Sequence, residues 1–294
     1  MSATVSPMMA RRYGVKRICD VLDFARSSFY WGRGVRIRPA GKRGPRPRWS
    51  DEELLEWIRR DLARSPFHGE GHRKVWARLK IVDGVRVSRK RVLRVMRENK
   101  LLSPYRVAQR TESCHSGNIT TEAPDLMWGT DATKVVTLED GYVWLFAAVD
   151  HCHAQCMGWH VSTSGSRFEA LQALSMGLTE VFGGVGPDIA RGLKLRMDHG
   201  TQYLSDHFLN QIRFWGMAAS FAFVSEPETN GVVERFFRTL KEQAIYGRIF
   251  RNVEEVRSAV AKFVHDYNHH WRPEKLGFMT PVEYRKMHLQ KVAA

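Results

Sequence analysis

Two neighbouring stretches decide the fold, MWGTDATKVV at residues 127–136 and YVWLFAAVD at residues 142–150. Both are rich in the β-branched and aromatic residues that favour strands, and the Glu-Asp-Gly at 139–141 between them is a hairpin signal. A third strand is predicted over 154–161. Strands and helices then alternate, with helices predicted over 167–182, 205–215 and 232–245 and strands over 193–198 and 218–224. This order predicts a mixed α/β architecture with a central sheet.

The positive charge of the chain is concentrated in its first third. The whole chain has 46 Lys and Arg against 31 Asp and Glu, a formal net charge of +15. Residues 1–110 hold 28 of the basic and 10 of the acidic residues, whereas residues 111–294 hold 18 and 21. A basic module joined to a near-neutral remainder indicates binding to a polyanion, and nucleic acid is favoured over a merely solvated surface. No amphipathic helix with a broad apolar face points to an anionic membrane.

Several classes of protein are excluded by composition. The longest apolar run, residues 142–149, has eight residues, whereas a membrane helix needs about 20. Residues 1–16 lack the apolar stretch of a secretory signal. The 4 cysteines are too few and too scattered for a disulfide framework. We therefore expect a soluble protein of a reducing compartment.

The basic third has helical and irregular segments. Residues 15–30 predict a short helix, a turn and a second helix, compatible with a small helix-turn-helix. Residues 32–50 are rich in Gly, Pro and Arg without periodicity, which is typical of a linker that lies along a phosphate backbone. Ser50 and the Asp-Glu-Glu after it match a capping box, so a helix is expected from residue 51.

Two further helices follow in this region. Val75, Trp76 and Leu79 mark the first, and Ser88 caps the second over 89–99. The last helix is expected to bury Val92, Leu93 and Met96 and to present the basic residues Arg89, Lys90, Arg91, Arg94 and Arg97. A most basic last helix is the arrangement that enters a major groove, although an exposed basic helix on a bundle remains an alternative.

Three acidic residues stand out in the α/β region. Asp131 lies in mid-strand, where burial is costly unless something pairs with it; Asp198 ends a short apolar strand; Glu234 lies in the first turn of a helix. Such acids can converge on one cleft and bind a hard cation such as Mg²⁺. Taken singly, Asp198 could be a turn residue and Glu234 could favour the helix dipole. Rival acids are Asp150, Glu226 and Glu228.

These motifs, with their surroundings, resemble a known family. WGTDAT, DHGTQY and NGVVERFFRTLK are similar to the catalytic core of integrase-type transposases, and 35 residues separate Asp198 from Glu234, the D,D-35-E spacing of that family. Upstream, HGEGHRKVWARL resembles the helix-turn-helix of OrfB-type transposases of the insertion-sequence-three family. DYNHHWRP and TPVEY are similar to that family's C-terminal tail. The resemblance runs from about residue 13 to residue 284.

The resemblance implies an α/β, RNase H-like catalytic domain preceded by an all-α helix-turn-helix region. It implies a DNA transposase of the DDE type, in which Asp131, Asp198 and Glu234 hold two Mg²⁺ ions for in-line displacement at phosphorus, with Mn²⁺ able to substitute. The reactions implied are cleavage at the ends of an insertion sequence and transfer of the 3′-hydroxyls to target DNA. The implied location is the bacterial cytoplasm, at the nucleoid.

Six segments are predicted along the chain: a short helix-turn-helix-like segment (1–31), a basic linker (32–50), a helix-turn-helix DNA-binding domain (51–110), a second linker (111–124), the integrase-type core (125–245) and a helical tail (246–294).

Residues around the three acids are expected to contact DNA. Glu234, Arg238 and Lys241 have the spacing i, i+4, i+7 and share one helical face, so both cations are predicted to point along the cleft towards phosphate. Weaker candidates for positioning DNA are Gln202, Tyr203 and Asn230. Phe236 and Phe237 are expected in the core.

Zinc is not expected. His68 and His72 lack a following Cys-x₂-Cys, and Cys114 stands alone. A second cluster comprises His151, Cys152, His153 and Cys156. We interpret it as a turn with ordinary polar tips, since neighbouring side chains alternate faces there.

Two other functions are weighed against the transposase. A DNA-binding regulator with an inactive core would not need three intact acids, and a nuclease for RNA in hybrids would not need so basic a helix-turn-helix. The expected partners are double-stranded DNA, both element ends and target, and further copies of the chain on that DNA. The family also implies an upstream, OrfA-type partner that is fused to this chain by frameshifting and supplies a helix-turn-helix and a coiled coil. This chain has no heptad run of three or more repeats, so we expect no coiled coil of its own.

Overall fold

The structure is a computed structural model of the 294-residue chain, and it describes residues 4–31, 48–103, 121–221 and 230–293. Most of both predicted linkers, the end of the strand predicted over 218–224, and Glu226, Glu228 and Cys114 lie outside the described residues. The chain divides into two compact units, Met1–Ser50 and Asp51–Ala294. No described helix is long and apolar enough to span a bilayer. The six-segment division stays a prediction.

The first unit contains the two short helices that the sequence predicts. Helix α1 spans Val15–Val21 and helix α2 spans Arg26–Trp31. The backbone N–H of Phe24 donates to the carbonyl of Cys19 at 2.9 Å, which closes the turn between them. Cys19 is the buried residue of α1.

The second unit begins with three helices, α3 (Asp51–Arg64), α4 (His72–Ile81) and α5 (Arg89–Glu98). Ser88 caps α5 as predicted, with its hydroxyl accepting from the Arg91 N–H at 3.3 Å. The expected burial of Leu93 is wrong: α5 buries Val92, Val95 and Met96. These three follow the i, i+3, i+4 stripe of a helix, and Leu93 lies at its edge.

Four charged groups, buried or half-buried, join α4 to α3 and to the segment before α4. Arg78 of α4 donates to Asp61 of α3 through Nε at 2.9 Å and Nη2 at 2.7 Å, and it also pairs with Glu70 before α4. Glu70 accepts from the Ser65 hydroxyl at 2.6 Å and lies 3.4 Å from the Lys74 ammonium. Burial raises the pKa of Asp61, although Arg78 acts to lower it, and burial lowers the pKa of Lys74 to about 7. The HGEGHRKVWARL motif therefore supplies three members of a structural ion network, Glu70, Lys74 and Arg78.

The sheet has five strands, β1 (Met127–Val136), β2 (Tyr142–Asp150), β3 (Cys156–Ser162), β4 (Lys194–Met197) and β5 (Ala218–Phe221). Their order is β3-β2-β1-β4-β5. Strands β1, β2 and β3 form an antiparallel meander, whereas β4 and β5 run parallel to β1. The third strand starts two residues later than predicted because residues 154 and 155 belong to the preceding turn.

Helices cover both faces of the sheet. One face carries α6 (Arg167–Phe182), α7 (Thr201–Leu204) and α8 (Asp206–Phe214); the other carries α9 (Gly231–Leu240) and α10 (Val253–His270). Side chains of β2 alternate between the two cores, with Val143 and Leu145 in one and Phe146 in the other. A Cβ on Gly158 would lie 2.0 Å from the Ala173 carbonyl oxygen, so only glycine lets β3 approach α6 this closely. The predicted mixed α/β, RNase H-like architecture after an all-α region is confirmed.

The helix predicted over 232–245 changes character at its end. After Leu240 the backbone continues as a π-helical turn, Lys241–Ile245. The Gln243 side chain of this turn accepts from the His68 N–H at 2.8 Å and donates to the His68 carbonyl at 3.0 Å. Next to it, Phe67 enters the core of the α/β region, against Phe263 and Trp271. The three-helix region is thus packed onto the α/β region.

The two tail motifs bind each other. Arg272, in DYNHHWRP, donates two hydrogen bonds of 2.8 Å to the carboxylate of Glu283, in TPVEY. Glu283 also accepts from the Thr280 N–H at 2.9 Å, at the start of α11 (Pro281–Ala293). Asn268 of α10 exchanges hydrogen bonds of 3.0 and 2.9 Å with the backbone of Cys156 in β3. The tail is therefore anchored to the sheet.

We predict that Arg78→Met lowers the free energy of unfolding by about 3–5 kcal/mol, because it leaves the carboxylates of Asp61 and Glu70 buried without their partner. Urea unfolding measures this. The matched control is Arg191→Met, which breaks the exposed pair with Asp188 and should change stability by less than about 0.5 kcal/mol. Equal losses in the two variants would contradict the network.

Candidate active site

Asp131 lies in the middle of β1, the central strand, opposite Ala147 of β2. Its side chain is half-buried, and one carboxylate oxygen accepts from the N–H of Ala132 at 2.7 Å. Mid-strand placement fixes the direction of the side chain, since successive residues of a strand point to opposite faces.

Asp198 follows directly after β4, which pairs with β1 in parallel. In this parallel register Gly129 lies opposite Arg196, so two residues further along both strands Asp198 comes beside Asp131. The Gly200 N–H donates to Asp198 Oδ1 at 2.9 Å. A Cβ on Gly200 would lie 2.7 Å from Gln202 Nε2 and 3.0 Å from Asp198 Oδ1, so glycine is needed where the turn folds back on the carboxylate.

Glu234 is exposed in the first turn of α9. The start of this helix is tied to β1 by Asn230, whose amide donates to the Thr130 carbonyl at 3.3 Å, one residue before Asp131. Asn230 and Tyr203 are buried, so the expectation that they position DNA is wrong. They lie beneath the acids and support the elements that carry them.

The three acids share one electrostatic field. The pKa of Asp131 is raised to about 6, chiefly by burial and in addition by the Asp198 and Glu234 carboxylates, whereas the Ala132 N–H and the Lys241 ammonium act to lower it. The acids are therefore close enough to repel one another, and a bound cation would relieve this repulsion while all three stay ionised. Their hard oxygen atoms are of the type that Mg²⁺ and Mn²⁺ prefer, so these residues fit a divalent metal ion.

A tighter cluster of ligand-type atoms lies elsewhere. Among the described residues, Asp150, Cys152 and His153 form the one such group whose ligand atoms all lie within 4.8 Å of one another; the oxygens of the three acids above do not all approach so closely. Asp150 accepts from the N–H groups of Cys152 (2.8 Å), His153 (3.2 Å) and Asp125 (2.8 Å), and its Oδ1 lies 2.8 Å from His153 Nδ1.

Asp150, the alternative acid considered above, therefore stabilises the turn after β2 through these bonds. Burial acts to raise the pKa of its carboxyl, but the His153 side chain and the backbone N–H groups hold that pKa below its usual value. The expectation that ordinary polar side chains form the tip of this turn is wrong, because His151 and His153 are buried. The turn instead uses its polar groups internally, with His153 Nε2 3.1 Å from Gln155 Oε1.

The basic residues that are predicted to contact DNA differ in their positions and in their ion pairs. Lys241 faces the acids, whereas Arg238 is exposed and lines a separate cleft beside α9. On α5, Arg91 and Arg94 both pair with Asp51 at 2.7 Å, and Arg89 lies 3.4 Å from Glu274. Lys90 and Arg97 are exposed and make no ion pair within the described ranges of the chain. DNA contact by these residues stays a prediction.

One residue of the site, Gly129, was not identified from the sequence. A Cβ on Gly129 would lie 2.8 Å from both Asn230 Oδ1 and His151 Nε2, so Gly129 makes room for the side chain that ties α9 to β1. The sequence does contain a signal for this role, because a glycine inside a strand often marks a place where other groups approach the backbone closely.

We predict that Asp131→Asn stabilises the metal-free protein above pH 6 by at most about 3 kcal/mol, at 1.36 kcal/mol per pKa unit. The native pKa near 6 lies above the unfolded value of 3.8, so the contribution of Asp131 to stability is present at low pH and is lost as pH rises between these values. Urea unfolding in EDTA at low and high pH measures the difference. Equal stability of the two proteins at pH 7.5 would contradict the repulsive site.

Family models match most of the second unit. An HTH-like domain matches residues 49–109, and integrase core domains match residues 121–227 and 216–281.

Curated relatives match nearly the whole chain. The transposase for insertion sequence element IS629 of Shigella sonnei is 28% identical, over 97% of this chain and 95% of its own length. Transposase InsD of Escherichia coli is 27% identical, over 94% and 92%. A 48.2 kDa protein of insertion element IS2A of Escherichia coli is also 27% identical, and the chain spans 66% of its length.

Solved structures show weaker likeness. The HTLV-2 integrase catalytic core domain in complex with magnesium is 15% identical with a TM-score of 0.41, over 56% of this chain and 98% of its own. The catalytic core domain of BIV integrase is 18% identical with a TM-score of 0.41, over 57% and 97%. At these scores the likeness carries no argument about function.

Proposed function

We infer that this chain, which belongs to the insertion-sequence-three family of transposases with an integrase-type core, is a DDE polynucleotidyl transferase that cuts the ends of its element and joins them to target DNA. The implied reaction is phosphoryl transfer in the presence of Mg²⁺. Water attacks first and exposes a 3′-hydroxyl, and this hydroxyl then attacks a phosphodiester of the target.

One observation carries the proposal. The pKa of Asp131 is raised to about 6, by burial and also by Asp198 and Glu234, although these residues come from a mid-strand position, a turn and a helix start. Repulsion between carboxylates, which the Lys241 ammonium offsets only in part, is a cost to folding that a structural role does not require. It is the expected property of a site that gathers negative charge for a divalent cation.

Asp131, Asp198 and Glu234 would hold two Mg²⁺ ions, or Mn²⁺ in their place. When bound, such ions activate an attacking water or hydroxyl and stabilise the leaving 3′-oxygen. Asp131 is positioned by its strand, Asp198 by its turn and Glu234 by the first turn of α9. Lys241, which faces Asp131, would contact the phosphate beside the scissile bond and balance some of the charge.

The partners follow from the chemistry. The substrate is double-stranded DNA, and two ends must react together, so we propose that several copies of the chain assemble on paired ends. We also propose an OrfA-type partner that is fused to this chain and supplies the coiled coil. The site of action is the nucleoid of the bacterial cytoplasm.

The test is cleavage and strand joining with labelled duplex ends taken from DNA flanking the gene. We expect product with Mg²⁺ or Mn²⁺, none with EDTA, and at least an approximately 100-fold loss of rate in Asp198→Asn and Glu234→Gln, equivalent to about 2.7 kcal/mol of transition-state stabilisation. DNA binding, measured by anisotropy, should persist in both variants.

The matched control is Glu254→Gln, because Glu254 also lies in the first turn of a helix, α10, on the exposed surface. It should cleave at the wild-type rate. Cleavage that survives in Glu234→Gln would overturn the site assignment. Binding without cleavage in every preparation, including the chain fused to the upstream reading frame, would favour a DNA-binding regulator.

A further inference from the structure

A cleft of about 650 Å³ lies beside α9. Its walls are the segment 68–74 at the start of α4, helix α9 and the tail segment 271–278. None of the three acids lines it. Its volume falls within the range of about 300–1,000 Å³ that is usual for a site holding a small molecule.

The walls are held in place by specific bonds. Gln243 makes two hydrogen bonds, of 2.8 and 3.0 Å, to the backbone of His68. Across the mouth, Arg73 of α4 pairs with Glu274 of the tail at 2.7 Å. The cleft is therefore a built feature of the second unit.

Positive charge exceeds negative charge around the cleft, since six Lys or Arg side chains line it against three Glu. Three of the six cations have carboxylate partners: Arg73 with Glu274, Lys74 with Glu70, and Arg272 with Glu283. The other three are Arg235, Arg238 and Lys275. Within the described ranges, none of these three makes an ion pair.

Two of these cations come from different elements. Arg235 lies on α9 and Lys275 on the 3₁₀ turn Glu274–Leu276, and both line the cleft. Burial lowers the pKa of Lys275 and the nearby Arg235 lowers it further, whereas Cys152 and Asp150 act to raise it. Like charges that the fold holds together in a partly enclosed space are stabilised by an anion between them.

Aromatic side chains complete the lining. Trp271 and Phe278 are half-buried in the cleft wall. The Trp271 ring is already covered by the Lys74 ammonium and stacked with Tyr267, so Phe278 is the aromatic surface that we expect a base to contact. A cationic groove with aromatic surfaces for bases is the combination by which proteins bind single-stranded nucleic acid. The cleft accommodates one or a few nucleotides and is too small for a duplex.

We propose that this cleft binds a short unpaired segment of DNA beside the active site, with Arg235, Arg238 and Lys275 contacting its phosphates. The inference rests on the proposed function in one respect, which is that DNA is the ligand. Arg235 directly follows Glu234 in α9, so the helix presents its acid to the reacting strand and its next residue to the unpaired one.

The test compares two probes, a blunt duplex and the same duplex with a short single-stranded extension, by fluorescence anisotropy over a salt series. The full chain should bind the extended probe more tightly. In Arg235→Ala/Lys275→Ala this preference should vanish, and the slope of log K against log salt for the extended probe should fall by about 1.4, at about 0.7 for each single-strand phosphate contact.

The matched control is Lys194→Ala/Arg248→Ala, which removes two exposed cations outside the cleft and should keep both the preference and the slope. Arg235→Lys should also keep the preference, because it retains the charge. Inorganic phosphate at constant ionic strength should not displace the extended probe; displacement would identify the site as one for free phosphate and overturn the proposal.

The proposal is also overturned if the wild-type chain does not distinguish the two probes, or if the double variant still does. These outcomes are independent of catalysis. Loss of cleavage in every preparation, with the Arg235-dependent preference intact, would overturn the proposed function alone.

Discussion

The site depends on the pairing of β1 with two different neighbours. On one side β1 pairs antiparallel with β2, and on the other it pairs in parallel with β4. The parallel pair brings Asp198, just past the end of β4, beside the mid-strand Asp131, and the antiparallel pair supplies the rigid strand that can hold a half-buried carboxylate. Helix α9 completes the arrangement because Asn230 fixes its start against β1. A slip of one residue in β1 would turn Asp131 to the opposite face.

Much of this organisation was predictable from the sequence. Hydrophobic periodicity and turn signals located all five strands and most helices, because both record which face of a local element is buried. The acids were identifiable because a carboxylate inside an apolar strand is unusual. What the sequence did not reveal depends on contacts between distant residues: the burial of His151 and His153, the role of Asn230 under Asp131, and the close approach at Gly129. Local patterns contain no information on partners that lie far away along the chain.

The family motifs that lie outside the active site have structural explanations. HGEGHRKVWARL contains Glu70, Lys74 and Arg78 of the buried ion network, whose other carboxylate is Asp61. The two tail motifs meet through Arg272 and Glu283. Buried charges are expensive unless each has a well-placed partner, so these residues would be retained together or lost together. These motifs therefore stabilise the scaffold, whereas the three acids carry the proposed chemistry.

The bonds between His68 and Gln243, with Phe67 inserted in the core, join the three-helix region and the α/β region within a single compact unit. Under the proposed function, this construction fixes two quantities between the base pairs that the three helices contact and the phosphodiester that is cut: their distance along the duplex and their rotation about its axis. The duplex repeats about every 10–10.5 base pairs, or about 34–36 Å. Inserting half a turn between the two points would therefore rotate the bond to the far side of the duplex, and inserting a whole turn would restore the rotation but move the bond along the axis by the length of that turn.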